Sequence, residues 1–204
     1  NAKHFPGHGD TDKDSHKTLP TVGFNRKRLD AEALFPYPQL FERGLSSVMV
    51  AHLNVPELTK KRGRPTSLSQ EVVTDLLQVA MGFRGLVFTD ALNMKGASEY
   101  KAPGDIEWAA IQAGNDVLLI PEDVPAAMAR LIKTYKNGLL TEERLGHSVK
   151  KILRAKYKVG LHDYQPVVLA HLYQELNTPQ DQMLYDQCMA QAMTLLKNKK
   201  QILP

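Results

Sequence analysis

Apolar residues along the chain fall into two alternating rhythms. Three short continuous runs, Ser46–Ala51 before His52, Leu86–Thr89 before Asp90 and Val117–Ile120 before Pro121, are aliphatic or β-branched and bounded by Gly, Pro or polar residues, which predicts strands. Between and around them apolar residues recur three or four apart: Tyr37, Leu40, Phe41 and Leu45; then Leu68, Val72, Leu76 and Ala80; then Ile106, Ala109, Ala110 and Ala113. That spacing predicts helices with one buried face. Ser67 with Gln70 reads as a capping box, and Thr141 before Glu142-Glu143 opens a helix whose apolar face is Leu145, Val149, Ile152 and Leu153. Gly85 marks the turn into the second strand. Fully apolar strands alternating with helices imply an α/β fold, with a parallel sheet covered on both faces or closed into a barrel.

The pattern changes after Tyr157. Residues 160–166 read as an irregular link, and Leu172–Leu196 as mostly helical, so the chain divides into 1–160 and 161–204. No repeat or low-complexity segment appears.

Composition narrows the picture further. With 43% hydrophobic and 24% charged residues the chain has ordinary globular make-up, and its apolar runs are far shorter than the roughly 20 residues of a membrane span. Net charge is +4, but 26 basic residues are diluted by 22 acidic ones. The basic clusters Lys60-Lys61-Arg62-Gly63-Arg64 and Lys197–Lys200 lack the interleaved aromatics of a nucleic-acid platform and read as solvated segments, so nucleic acid is not an expected partner. The one cysteine, Cys188, lies in a helical pattern and reads as a small buried hydrophobe. Trp108 reads as helix packing and Asp116 as structural.

Chemistry concentrates near the start. The eighteen residues from Lys3 to Pro20 hold three His, three Asp, three Lys, two Gly and two Pro, a content that predicts a loop throughout. Titratable loops on an α/β scaffold are where binding and catalysis gather. Two readings follow. His4, His8 and His16 with the three aspartates could ligate a metal, but the Pro6-Gly7 break removes the helical presentation of His4 and His8, and no second ligand cluster follows. Alternatively Asp14, two residues before His16, could hold one imidazole nitrogen and orient the other for proton transfer. Taken alone, His16 could equally brace the loop.

The run Lys3-His4-Phe5-Pro6-Gly7-His8-Gly9 closed by Asp14-Ser15-His16 resembles the signature of the β-N-acetylglucosaminidases of glycoside hydrolase family 3. Gly85-Leu86-Val87-Phe88-Thr89-Asp90, with Met94 four residues later, is similar to the same family's nucleophile segment. Ser47–His52 resembles a family strand ending in Ala-His, and Ala192–Asn198 with Leu203-Pro204 resembles the approach to the family's second, α/β sandwich domain.

The resemblance implies the second half of a (β/α)8 TIM-type barrel, running from the end of strand five through strand eight, followed by a helical linker. The first half of the barrel is then a required partner that this chain does not supply, and the isolated chain is expected to be inactive. The resemblance further implies a retaining glycosidase that removes terminal β-N-acetylglucosamine, as from peptidoglycan or chitin fragments. Asp90 would be the nucleophile, His16 the acid/base held by Asp14, and Lys3 and His4 donors to sugar hydroxyls. His52 and Met94 would line the pocket, although a satisfied rim histidine and a core methionine fit those two positions as well. No cofactor or metal is implied, and the two-domain form points to a periplasmic or extracellular bacterial setting. The alternatives are a family 3 β-glucosidase, disfavoured because those enzymes place a Glu acid in the second domain, and a non-catalytic carbohydrate-binding module of the same fold.

Overall fold

The computed structural model describes residues 1–199, so the part of the final segment over 200–204, including Leu203 and Pro204, lies outside the described residues. The chain separates into two compact units, Asn1–His162 and Asp163–Pro204. In the first, strands β1 (Ala2–Phe5), β2 (Ser47–Val50), β3 (Leu86–Ala91) and β4 (Val117–Leu119) form one parallel sheet in sequential order, in the α/β sense the sequence implies. β2 and β3 are in continuous register from Ser47 opposite Leu86 to Val50 opposite Thr89. The Lys3–Pro20 stretch is therefore not loop throughout: Ala2–Phe5 pairs with β2, and the loop begins where Pro6 and Gly7 end the ladder.

The helices come in chain order: α1 (Arg26–Arg28), α2 (Pro36–Glu42), α3 (Lys95–Ser98), α4 (Asp105–Ala113), α5 (Val124–Lys136) and α6 (Glu142–Lys158). Leu29–Ala33 and Glu71–Ala80 wind more widely, as in the bond from the Met81 N–H to the Leu76 carbonyl, 2.9 Å. In Glu71–Ala80 this suits the spacing of its buried pairs, Val72-Val73 and Leu76-Leu77, while Ala80 is exposed. Alternation along the strands sorts the side chains. Val48, Val50, Val87 and Thr89 are buried, and the three valines join Tyr37, Val72, Val73 and Leu77 in the main core. Each such burial stabilises by about 1.5–3 kcal/mol. Ser47, Met49, Leu86, Phe88 and Asp90 occupy the other face and are only half-buried.

Four local expectations need correction. Ser67 caps no helix; it lies buried in the short turn Thr66–Leu68, and the following helix has Gln70 before its first residue. In α6 most of the predicted apolar face is turned outward, with Leu145, Val149 and Leu153 41, 43 and 58% exposed and Ile152 half-buried. The inward face is polar instead: Asp116 accepts from the Val87 N–H at 3.0 Å and the Ser148 hydroxyl at 2.6 Å and pairs with Lys151, while Arg144 donates to the Ile111 and Asn115 carbonyls. Asp116 is thus structural, as expected. Helix α5 was not anticipated, because its larger apolar residues Met128, Ile132 and Tyr135 are exposed and only Ala127 and Thr134 are buried. Cys188 is exposed. It lies on α8 (Pro179–Ala192) of the second unit, which follows α7 (Leu172–Glu175) and has no buried residue, so no core surrounds the thiol. The stretch Leu172–Leu196 is mostly helical, as expected, in two pieces separated at Asn177, whose φ is +62°, with Pro179 opening α8.

Among the described residues no helix is long and apolar enough to cross a membrane.

Candidate active site

The C-terminal ends of the strands carry the titratable groups. Asp90 is the fifth residue of β3, on the same half-open face as Leu86 and Phe88, with its side chain 13% exposed. Its Oδ1 accepts from the Ala91 N–H at 2.9 Å, and its Oδ2 lies 3.8 Å from Nε2 of His4, which reaches over from β1. That separation exceeds a hydrogen bond, so the two are close electrostatic neighbours. Burial lowers the pKa of His4, and the attraction of Asp90 only partly offsets this. A neutral imidazole therefore faces the carboxylate.

His52, at the end of β2, is fully buried and satisfied at both nitrogens. Nε2 lies 2.9 Å from the Ala91 carbonyl, which can only accept, so Nε2 carries the proton and Nδ1 accepts from the Ser67 hydroxyl at 2.7 Å. Burial lowers its pKa, the carbonyl bond and Asp90 acting in opposition. This is the satisfied rim histidine of the two sequence readings. It fixes the backbone immediately after Asp90 from below.

The loop after β1 carries the remaining groups. Asp14 Oδ1 accepts from the His16 backbone N–H at 2.9 Å and from the ring Nδ1 at 2.8 Å, while the Asp14 carbonyl accepts from the Lys17 and Thr18 N–H groups in a tight turn. Those bonds from His16 hold the Asp14 carboxyl below its ordinary range. With Nδ1 engaged, Nε2 is the nitrogen left for proton exchange, and the His16 side chain is 74% exposed. Ser15 between them is buried, its hydroxyl 3.2 Å from Nε2 of His8 and its carbonyl accepting from the Gly96 N–H at 3.2 Å. The far end of the loop is tied to the segment after β2, where the Asn54 N–H donates to the Pro20 carbonyl.

The structure thus brings His4 to Asp90 and Asp14 to His16, and places His52 behind Asp90 through Ala91. Lys3 is exposed and lines a groove of about 460 Å³ along β1 with His4, His8 and Tyr37. Met94 is buried, and its carbonyl accepts from the Ala97 and Ser98 N–H groups at the start of α3, so it packs. His4 and His8 meet edge to face with ring centroids 5.9 Å apart while His16 pairs with Asp14, and among the described residues no group of three His, Cys, Asp or Glu is placed to hold a metal ion. Residue patterning does not reveal the contacts of Ser15, Ser67 or Gly96, because each acts through a neighbour distant in sequence.

Residues 1–155 match the family described as Glycosyl hydrolase family 3 N terminal domain. A β-hexosaminidase A of Pseudoalteromonas piscicida is 30% identical over 215 residues, covering 96% of this chain and 36% of the relative. A solved glycoside hydrolase family 3 β-N-acetylglucosaminidase from Paenibacillus sp. superimposes with a TM-score of 0.90 at 33% identity, over 99% of this chain and 39% of that one. A solved β-glucoside phosphorylase gives a TM-score of 0.91 at 28% identity, over 98% and 38%. The chain therefore spans well under half the length of these relatives.

Proposed function

Since the chain belongs to glycoside hydrolase family 3, whose N-terminal domain is a TIM-type barrel, we propose that it carries the catalytic groups of a retaining glycosidase that removes terminal β-N-acetylglucosamine. The observation that carries this reading is the Asp14–His16 pair, in which Nδ1 is held at 2.8 Å and Nε2 is left free. Asp90 attacks the anomeric carbon through a carboxylate oxygen while protonated His16 Nε2 delivers its proton to the departing glycosidic oxygen. The resulting glycosyl-enzyme is released when neutral His16 takes a proton from water, which attacks the same carbon and restores the Asp90 carboxylate. Two displacements return the original configuration. Asp14 stabilises the imidazolium of the first step and the neutral His4 adds no negative charge beside Asp90. His4 and Lys3 are assigned to sugar hydroxyls, as donors that need no acidic partner.

The names of the relatives support a hexosaminide substrate. In this proposal the pocket is completed by barrel strands outside these residues, which would cover the half-open face bearing Met49, Phe88 and Asp90. A fluorinated N-acetylglucosamine donor, applied to the complete polypeptide that carries this chain and followed by peptide mass mapping, is expected to leave one glycosyl group on Asp90. Turnover without an adduct, or an adduct on another residue, would overturn the nucleophile assignment. Absence of both turnover and adduct in the complete polypeptide would favour the non-catalytic carbohydrate-binding alternative.

A further inference from the structure

Gly96 is the second residue of α3, six residues after Asp90, and its φ lies outside the positive range that only glycine visits readily. Its backbone conformation does not call for glycine, and glycine is a poor helix residue. Space is what requires it. A Cβ at this position would lie 3.0 Å from the Ser15 carbonyl oxygen, 3.0 Å from that of Thr18 and 3.3 Å from Cβ of His52. The two carbonyls flank His16 on either side in sequence. The Gly96 N–H, one of the donors that a helix's first turn leaves without an internal partner, is taken up by the Ser15 carbonyl at 3.2 Å. His52 supports the same spot from beneath and bonds the carbonyl of Ala91.

From this we infer that Gly96 is the seat of the Asp14–His16 loop and a positioning residue for proton transfer, an inference that rests on the acid/base reading of His16. The loop straddles Gly96 with both carbonyls and is latched by the bond between Ser15 and His8. Because Gly96 and Asp90 belong to one strand-to-helix segment, the seat sets the height of His16 relative to the nucleophile. An added methyl must lift Ser15 and Thr18 together, since His52 below is fixed at both nitrogens. Proton transfer is sensitive to such shifts, while attack by Asp90 on a substrate whose leaving group needs no proton is not.

The test compares Gly96→Ala, Gly96→Val and His16→Ala in the complete polypeptide, using phenyl and dinitrophenyl β-N-acetylglucosaminides. Gly96→Val is expected to lose about tenfold or more in kcat/KM on the phenyl substrate, and Gly96→Ala a few fold, with kcat/KM on the dinitrophenyl substrate nearly unchanged. Azide should then raise kcat on the dinitrophenyl substrate, since it attacks the glycosyl-enzyme without losing a proton, expels the Asp90 carboxylate and gives the β-glycosyl azide. Equal losses on both substrates with no azide effect would overturn the seat, because general damage to the fold lowers both. If Gly96→Val does not fold, the split in Gly96→Ala decides. If His16→Ala itself shows no split, the acid/base reading falls; if His16→Ala shows it and Gly96→Ala does not, only the seat falls.

Discussion

His52 and His16 are both held by a partner at Nδ1, yet their surroundings give them opposite uses. His52 is fully buried and satisfied at both nitrogens, by Ser67 and by the Ala91 carbonyl, and burial pushes its pKa down. His16 is 74% exposed and satisfied at one nitrogen by Asp14. An imidazole bonded at both ends and cut off from water is a strut, whereas one bonded at a single end and open to water can exchange a proton. Residue type does not separate the two roles; the partners at the second nitrogen do.

Several substitutions would break or sharpen this contrast. The largest effect is expected at the proposed nucleophile: Asp90→Asn should lower turnover by about 10³-fold or more with the fold intact by circular dichroism. His16→Ala should cost about 10²–10³-fold on substrates with poor leaving groups, and Asp14→Ala less, because the ring remains but loses its orientation. Steady-state kinetics would show the order, and an Asp14→Ala loss larger than that of His16→Ala would contradict it. His52→Leu belongs on the other side of the comparison. It leaves the buried Ser67 hydroxyl and Ala91 carbonyl without their partner and should destabilise by about 2–4 kcal/mol, read from the denaturant midpoint.

The smallest effect is a pH dependence. His52 and His4 titrate lower in the folded protein than their ordinary 6.5, so below that pH the unfolded chain binds more protons and stability falls with falling pH. The contribution is complete above about pH 6.5 and is lost as the pH drops toward the folded values. Asp14 acts in the same direction only in the acid range, below its ordinary 3.8. The unfolding midpoint should therefore decline on acidification from pH 6.5, and His52→Leu should flatten that decline. An equal slope in wild type and variant would show that His52 is not the strut described.

Much of the fold was legible because β2, β3 and β4 are short apolar runs bounded by turn or polar residues, and because Pro6, Gly7 and the crowded charges announce a loop. The hydrogen bond between Asp14 and His16 was legible too, since a separation of two residues brings them within reach, whereas Asp90 entered by resemblance and its role is a proposal. What was not legible depends on contacts made at a distance. Ser67 looks like a cap until His52 arrives fifteen residues away in sequence to take its hydroxyl. Lys3–Phe5 looks too charged for a strand until β2 supplies a ladder. Cys188 was read as buried and is open to solvent, because burial depends on what lies above a helix rather than on the helix itself, while Met94 follows the core reading of its two.

Helix α6 inverts a rule of thumb. Leu145, Val149 and Leu153 face outward while Asp116, through Ser148 and Lys151, grips the other side. Apolar contacts tolerate sliding, since one methyl serves nearly as well as the next. A carboxylate that must meet donors one turn apart does not. Advancing the helix by a single residue would swing it about 100° and break every one of those bonds together. The placement of α6 is in that sense digital: it engages like a key in its wards, in one rotational setting or in none.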